Sequence, residues 1–188
     1  MKNIKSNAAG IIIVLAALLV FCSCSKEDDL LKEGSEFVLS SPEIVADSLL
    51  PVDYTCDGES ATLPLNWSGG PEGVVSFAVI MHHVASPTDL HWYWVLYNIP
   101  ASVTILPRNV SGMGILGTNS VNDKTGYAPP CSQGPGIKAY TYTVYALSEN
   151  PSFSVSPDLV TRDVLLNAME GITISSARMT VYYTRRIE

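Results

Sequence analysis

In the run Ser76-Phe77-Ala78-Val79-Ile80-Met81 both alternating sets of side chains are apolar. Successive residues of a strand point to opposite faces, so a strand of this composition has to be covered on both sides, which puts it at the centre of its sheet and in the core. The chain from Phe37 onward is compatible with that setting. Short runs rich in β-branched and aromatic residues alternate with clusters of Gly, Pro, Asn and Asp, and 13 glycines and 12 prolines supply the punctuation. The spacing predicts strands at Phe37 to Ser40, Leu63 to Trp67, Val75 to His83, Trp92 to Asn98, Tyr140 to Leu147 and Ala177 to Thr184.

One helix is signposted. Ser156 can cap it, Pro157 suits its first turn, Asp158 suits the positive end of its dipole, and Gly171 follows its last apolar residues. Val160, Val164 and Ala168, with Leu165 and Met169, recur at helical spacing and should pack on the sheet. Between Pro107 and Gly136 runs a long segment rich in Gly, Asn and Pro, without strong periodicity, of a length that in compact domains is often functional. No internal repeat or low-complexity tract is found, and 188 residues suit one globular domain.

The amino terminus reads as an address. Lys2 and Lys5 precede a nearly unbroken apolar run from Ala8 to Phe21, the layout of a secretory signal and short for a comfortable span. It ends in Phe21-Cys22-Ser23-Cys24-Ser25-Lys26-Glu27-Asp28-Asp29, which resembles a bacterial lipoprotein processing site followed by the acidic patch of surface-exported Bacteroidetes lipoproteins. The expected organisation is a signal peptide over 1–23, an acidic tether over 24–36 lipidated at Cys24, and a domain over 37–188, with Cys22 the second choice for the lipid. An ordinary cleaved signal or an uncleaved anchor is the alternative. The formal charge is -7, and removal of residues 1–23 takes away Lys2 and Lys5 but no acid, leaving -9. Attachment to a bilayer would therefore rest on acyl chains rather than on a polybasic surface. The same charge argues against a nucleic-acid partner, since the basic residues are few and scattered.

Several phrases occur in a fixed order: Leu39-Ser40-Ser41-Pro42, Tyr54-Thr55-Cys56-Asp57-Gly58, Pro64-Leu65-Asn66-Trp67-Ser68-Gly69, Ser76 to Met81, and Val95-Leu96-Tyr97-Asn98-Ile99-Pro100. Gly126-Tyr127, Pro129-Pro130-Cys131, Tyr140 to Leu147 and Ala168-Met169-Glu170-Gly171 follow. As an ordered set they resemble the bacterial branch of the phosphatidylethanolamine-binding protein family, relatives of Raf kinase inhibitor protein, over about residues 37 to 188. The resemblance implies an all-β fold with a minor helix, an antiparallel Greek-key β-sandwich. It also implies a small surface pocket for an anionic or phosphorylated group, built from an Asp-Pro-Asp-Ala-Pro loop leading to a His-Trp strand and from a Gly-Pro-rich loop leading to His-Arg-Tyr.

The pocket phrases depart from that pattern. The first loop is matched by His83-Val84-Ala85-Ser86-Pro87, which lacks both carboxylates and keeps Pro87. Counting back from Asn98, the strand histidine becomes Tyr93, with His91 two residues earlier on the same face, and His-Arg-Tyr becomes Lys138-Ala139-Tyr140. The resemblance thus implies a pocket of His83, Pro87, His91, Tyr93, Lys138 and Tyr140 in which donors dominate. Such a site should take a carboxylate, sulfate or phosphate, more tightly at low pH where imidazoles gain charge. Each residue also has a plainer role open to it: rim or packing for His91, a solvated cation for Lys138, half-buried sandwich phenols for Tyr93 and Tyr140.

Competing chemistries are weaker. The three histidines, His82, His83 and His91, are close in sequence, but adjacent strand residues diverge and no acid occupies the loop positions, so a metal site is not expected. No serine stands in a Gly-x-Ser-x-Gly elbow, neither Cys56 nor Cys131 has a histidine nearby in sequence, and Asp57 is read as fixing a turn through its side chain. No enzymatic activity and no cofactor are expected. Cys56 and Cys131, placed by export where disulfides persist, are expected to bond, with two separate buried thiols as the alternative. The sequence therefore reads as a lipid-anchored outer-membrane binding protein, surface-exposed or facing the periplasm, for an anionic small molecule or phosphorylated head group. The alternative is a protein-interaction module, such as a protease or kinase inhibitor, with a vestigial pocket and a working surface over Arg108 to Pro135.

Overall fold

The computed structural model describes residues 36–133 and 136–185. The signal segment, Cys22, Cys24 and the acidic tether up to residue 35 lie outside the described residues. Among the described residues, eight strands form two antiparallel sheets. The smaller has the order β1 (Val38–Ser40), β2 (Leu65–Ser68), β5 (Ile105–Leu106). The larger has the order β6 (Ile115–Leu116), β4 (Asp89–Pro100), β3 (Ser76–Ser86), β7 (Lys138–Leu147), β8 (Thr173–Tyr183). The doubly apolar strand is central, as its composition requires, with β4 and β7 on its flanks. The chain changes sheet after β2, after β4 and after β5, which gives the sandwich its Greek-key winding.

The two faces of β3 enter two different cores. Phe77, Val79 and Met81 meet Leu39, Leu65, Trp67 and Leu106 of the smaller sheet. Ala78 and Ile80, with Val95, Tyr97 and Leu147, meet Val160, Leu165 and Met169 on the other side. At about 1.5–3 kcal/mol for each large apolar side chain fully removed from water, these layers are the main reason the sheets stay together.

The helix begins later than its sequence signals suggest. Pro157–Leu159 form a single 3-10 turn, Ser156 makes no side-chain cap, and α1 spans Arg162–Ala168. Thr161 is the true cap, its side chain accepting from the Val164 amide at 3.3 Å. The reason is Val160, which is fully buried, extended at ψ 92, and accepts from the Thr118 amide at 2.8 Å. A residue held open to bond a neighbouring segment cannot also be a helical turn. Gly171, at φ 79, supplies the left-handed step between the helix and β8.

The segment from Pro107 is organised, though without a period. Its β6 pairs with Leu96 and Tyr97 of β4. The Asn119 side chain then ties the following loop together, donating to the Lys124 carbonyl at 2.8 Å and accepting from the Val121 and Asn122 amides at 2.9 and 3.0 Å. These are short local bonds that leave no hydrophobic period to read.

Candidate functional site

Four strand ends converge at one end of the larger sheet. Antiparallel register sets His83 opposite His91, His82 opposite Thr141, and Lys138 opposite Tyr183. On β7, Lys138, Tyr140 and Tyr142 alternate with Ala139 and Thr141, so the first three face the smaller sheet. A register shift between Met81 and His82 leaves Tyr93 without a cross-strand partner, and both Tyr93 and Trp94 enter the inner core.

His83 is 8% exposed, and its Nδ1 donates to the Ala139 carbonyl at 2.8 Å. The acceptor is a carbonyl, so the proton sits on Nδ1, and Nε2 is the nitrogen left for other chemistry. The imidazole lies 5.3 Å from the Tyr140 ring, and Tyr93 stands edge-on to the same ring at 5.2 Å. The Tyr140 hydroxyl is buried and has no hydrogen-bond partner among the described residues. Tyr93 is near enough to perturb it without reaching hydrogen-bond geometry. Burial, then the neighbouring Tyr93, drives the Tyr140 pKa well up, and burial also raises those of Tyr93 and Tyr142. These phenols therefore stay protonated and act as donors, not as bases.

Lys138 donates from Nζ to the Gln133 carbonyl at 3.2 Å, tying the head of β7 to the segment after Cys131. In that segment Ser132, 3% exposed, has a buried hydroxyl that, like those of Tyr140 and Tyr142, has no partner among the described residues. His91 shares the face of His83 but pairs through Nε2 with Asp89 at 3.1 Å and stays half exposed. Pro87 does not join the others. The resemblance reads His83 to Pro87 as a pocket loop, whereas the ladder of β3 and β4 continues to Ser86 and Asp89, and only Pro87 and Thr88 remain as a two-residue turn. Pro87 is exposed at that tip, four residues beyond His83, or roughly 13 Å along a strand.

Cys56 and Cys131 are joined, with an S–S distance of 2.11 Å and Cα atoms 5.2 Å apart, and the Cys56 amide donates to the Pro130 carbonyl at 3.0 Å. This staple holds the Tyr54 to Gly58 turn against the segment that Lys138 grips. The turn itself is set by Thr55, whose Oγ1 donates to the Val52 carbonyl at 2.8 Å and accepts from the Asp57 amide at 3.2 Å. Asp57, read from sequence as the residue that fixes this turn, instead sends its carboxylate to β8. It accepts from the Tyr183 hydroxyl and from Arg185, whose Nε lies at 3.0 Å. The Tyr183 hydrogen bond, and after it Arg185, hold the Asp57 pKa below the usual carboxylate value.

Sequence reasoning also missed the phenols that support the cluster. Tyr54 donates to Glu43, and burial followed by that contact pushes its pKa up to about 12. Tyr127 packs edge-on to Trp94 and donates to the Tyr54 carbonyl at 3.0 Å. Nine tyrosines were visible, but nothing in their spacing said which would meet. A cavity of about 890 Å³ opens beside the end of β8, lined by Leu49, Leu50, Val52, Asp57 and Tyr183 among others. Among the described residues no group of three or more His, Cys, Asp or Glu side chains could hold a metal ion.

Comparison with known proteins adds family and fold. The family model described as phosphatidylethanolamine-binding protein matches residues 40–184. A UPF0098 protein of Methanothermobacter thermautotrophicus is 36% identical over 141 residues, covering 72% of this chain and 91% of the relative. Another, of Aquifex aeolicus, is 33% identical over 143 residues, covering 72% and 81%. Among solved structures, a putative phosphatidylethanolamine-binding protein homologue of Chlamydia trachomatis superposes with a TM-score of 0.72 at 26% identity, covering 80% of this chain and 98% of that one. YbcL of Escherichia coli, described as a new member of the mammalian family, gives 0.71 at 27% identity, covering 81% and 100%.

Proposed function

Because the chain belongs to the phosphatidylethanolamine-binding protein family, we propose that it is a non-enzymatic binding protein whose pocket takes an oxyanion at the His83, Tyr93, Lys138 and Tyr140 end of the sandwich. The ligand is a carboxylate, a phosphate or a phosphorylated head group. One observation carries this reading: the Tyr140 hydroxyl, fully buried beside a phenol and an imidazole, has no hydrogen-bond partner among the described residues. Such a group costs about 1–3 kcal/mol, which a ligand oxygen would recover. Protonated phenols, the Ser132 hydroxyl, which has no partner among the described residues, and the Lys138 ammonium make a lining of donors, and donors select an acceptor-rich anion. His91 belongs to the rim, where protonation would add to the attraction.

We read the protein as held at a bacterial outer membrane by acyl chains on Cys24, a reading supported by the sequence of residues 1–36 alone. A second function is favoured by one surface feature. Ile115, Leu116 and Val121 are exposed within the Arg108 to Pro135 segment, and β6 is a sheet edge, as a protein-interaction module would present.

Calorimetry with phosphate and with acetate, on wild type and on Lys138→Ala, tests the pocket. Saturable heat in wild type, weakened roughly tenfold in the variant, is expected. Absence of heat with both anions would overturn the small-ligand reading and leave the interaction role.

A further inference from the structure

His82 is the one histidine that the inner cluster does not use. It adjoins His83 on β3 and so projects from the opposite face, towards the helix side of the sheet. There the register sets it in one row with Trp92 of β4, Thr141 of β7 and Thr180 of β8. Arg178 lies two residues before Thr180 on the same face of β8, and Arg162 is the first residue of α1, which packs on this side of the sheet, close enough to act electrostatically on His82.

Donors outnumber acceptors on this shelf. The Thr141 and Thr180 hydroxyls lie 3.2 Å apart, so one donates to the other and the acceptor's own hydrogen is free to point outward. The Trp92 indole N–H is already given to the Thr118 carbonyl at 2.8 Å, which leaves its ring as an apolar wall. Arg162 pairs with Asp163 at 2.5 Å, while Arg178 makes no ion pair among the described residues. Helix stability does not account for Arg162, because a cation in the first turn opposes the dipole. Burial first, then Arg162, Arg178 and His83, hold the His82 imidazole below its usual pKa, and among the described residues no carboxylate offsets them. Two guanidinium groups thus act electrostatically on a half-buried imidazole in a chain whose formal charge is -7.

We propose that this shelf is a second oxyanion site, in which Arg162, Arg178, His82 and the Thr141–Thr180 hydroxyl pair bind a phosphate group on the side of the sheet opposite the first pocket. Guanidinium forks match phosphate oxygens two at a time, and a dianion supplies the countercharge that Arg178 lacks among the described residues.

The test follows the ring resonances of the three histidines by NMR while inorganic phosphate is added to the protein, with His82→Gln as the assignment control. The His82 signal should shift saturably, and its titration midpoint should rise as a bound dianion reverses the field of Arg162, Arg178 and His83. Arg178→Gln and Arg162→Gln should each weaken that response roughly tenfold or more, while Lys138→Ala leaves it unchanged. Arg178 is exposed, so its replacement tests charge without disturbing the core, even if Arg162→Gln loosens the helix. A His82 signal indifferent to phosphate, or a response equal in wild type and Arg178→Gln, would overturn the proposal. Loss of response at His83 and His91 alone would count against the first pocket only. Co-sedimentation with phosphatidylcholine vesicles carrying phosphatidic acid, abolished by Arg178→Gln, would identify a lipid head group as the source. A His82 response without vesicle binding would identify free phosphate.

Discussion

His83 and Ala139 are joined across β3 and β7 by a 2.8 Å hydrogen bond from Nδ1 to the carbonyl oxygen. The bond fixes both the tautomer and the tilt of the ring. It carries the pairing of the two strands one step past their last ladder partners, His82 and Thr141, and so sets the imidazole beside Tyr140. A side chain thereby finishes what the backbone ladder begins, at the place where the sandwich meets solvent.

The Tyr140 hydroxyl is a stability cost kept at that place. Tyr140→Phe removes the unpartnered group with little change of shape, so it should leave the protein as stable or stabilise it by about 1 kcal/mol, while phosphate binding weakens. Urea unfolding and calorimetry on the same variant read both effects. A clear loss of stability would mean that the hydroxyl has a partner in the free protein.

The Cys56–Cys131 bond closes a sequence separation of 75 residues. In the chain-entropy model it stabilises the domain by roughly 4 kcal/mol, so the Cys56→Ser, Cys131→Ser double variant should unfold at a distinctly lower denaturant midpoint. Denaturing alkylation with and without reductant, followed by mass measurement, should find both thiols blocked until reduced.

Asp57 should give acid sensitivity. Its folded pKa lies below that of an unfolded aspartate, so its contribution is present above the unfolded pKa and is lost as pH falls through the folded one. Asp57→Asn should lower the melting temperature at pH 7, and the gap to wild type should close towards pH 3 and below. A gap independent of pH would show that the Tyr183 and Arg185 contacts do not depend on the carboxylate charge.

Gly117 lies where the strand-like segment after β6 crosses the core. A Cβ there would come 2.3 Å from the Val160 carbonyl oxygen and 2.7 Å from Val95 Cγ1. Gly117→Ala should therefore cost about 1–3 kcal/mol in thermal or denaturant unfolding, through displacement of the segment that holds Val160 extended.

The larger sheet was legible because burial shapes its strands: Ser76 to Met81, apolar on both faces, could only be central, and along β7 the inward Tyr140, Tyr142, Val144 and Ala146 alternate with residues of the helix-facing side such as Tyr145 and Leu147. The helix start was not, because Ser156 and Pro157 satisfy local capping rules while a distant bond to Thr118 holds Val160 out of the helix. Strands of two residues, such as β5 and β6, carry too little pattern to stand out from loops. At the candidate site, the strand residues Tyr93, Lys138 and Tyr140 could be placed by counting along phrases. Pro87 could not, because whether a hairpin ladder continues or opens is decided by cross-strand pairing. The supporting phenols Tyr54 and Tyr127 lie far apart in sequence, and only the tertiary fold brings the Tyr127 hydroxyl to the Tyr54 carbonyl.

The most direct measurement of the pocket is a crystal structure of the protein soaked with phosphate or a small phosphomonoester. An oxyanion within hydrogen-bond distance of Tyr140 Oη and Lys138 Nζ, absent from crystals of Tyr140→Phe, is the expected result. A well-ordered structure at saturating ligand in which Tyr140 Oη meets only protein or water, with no anion beside Lys138, would contradict the account.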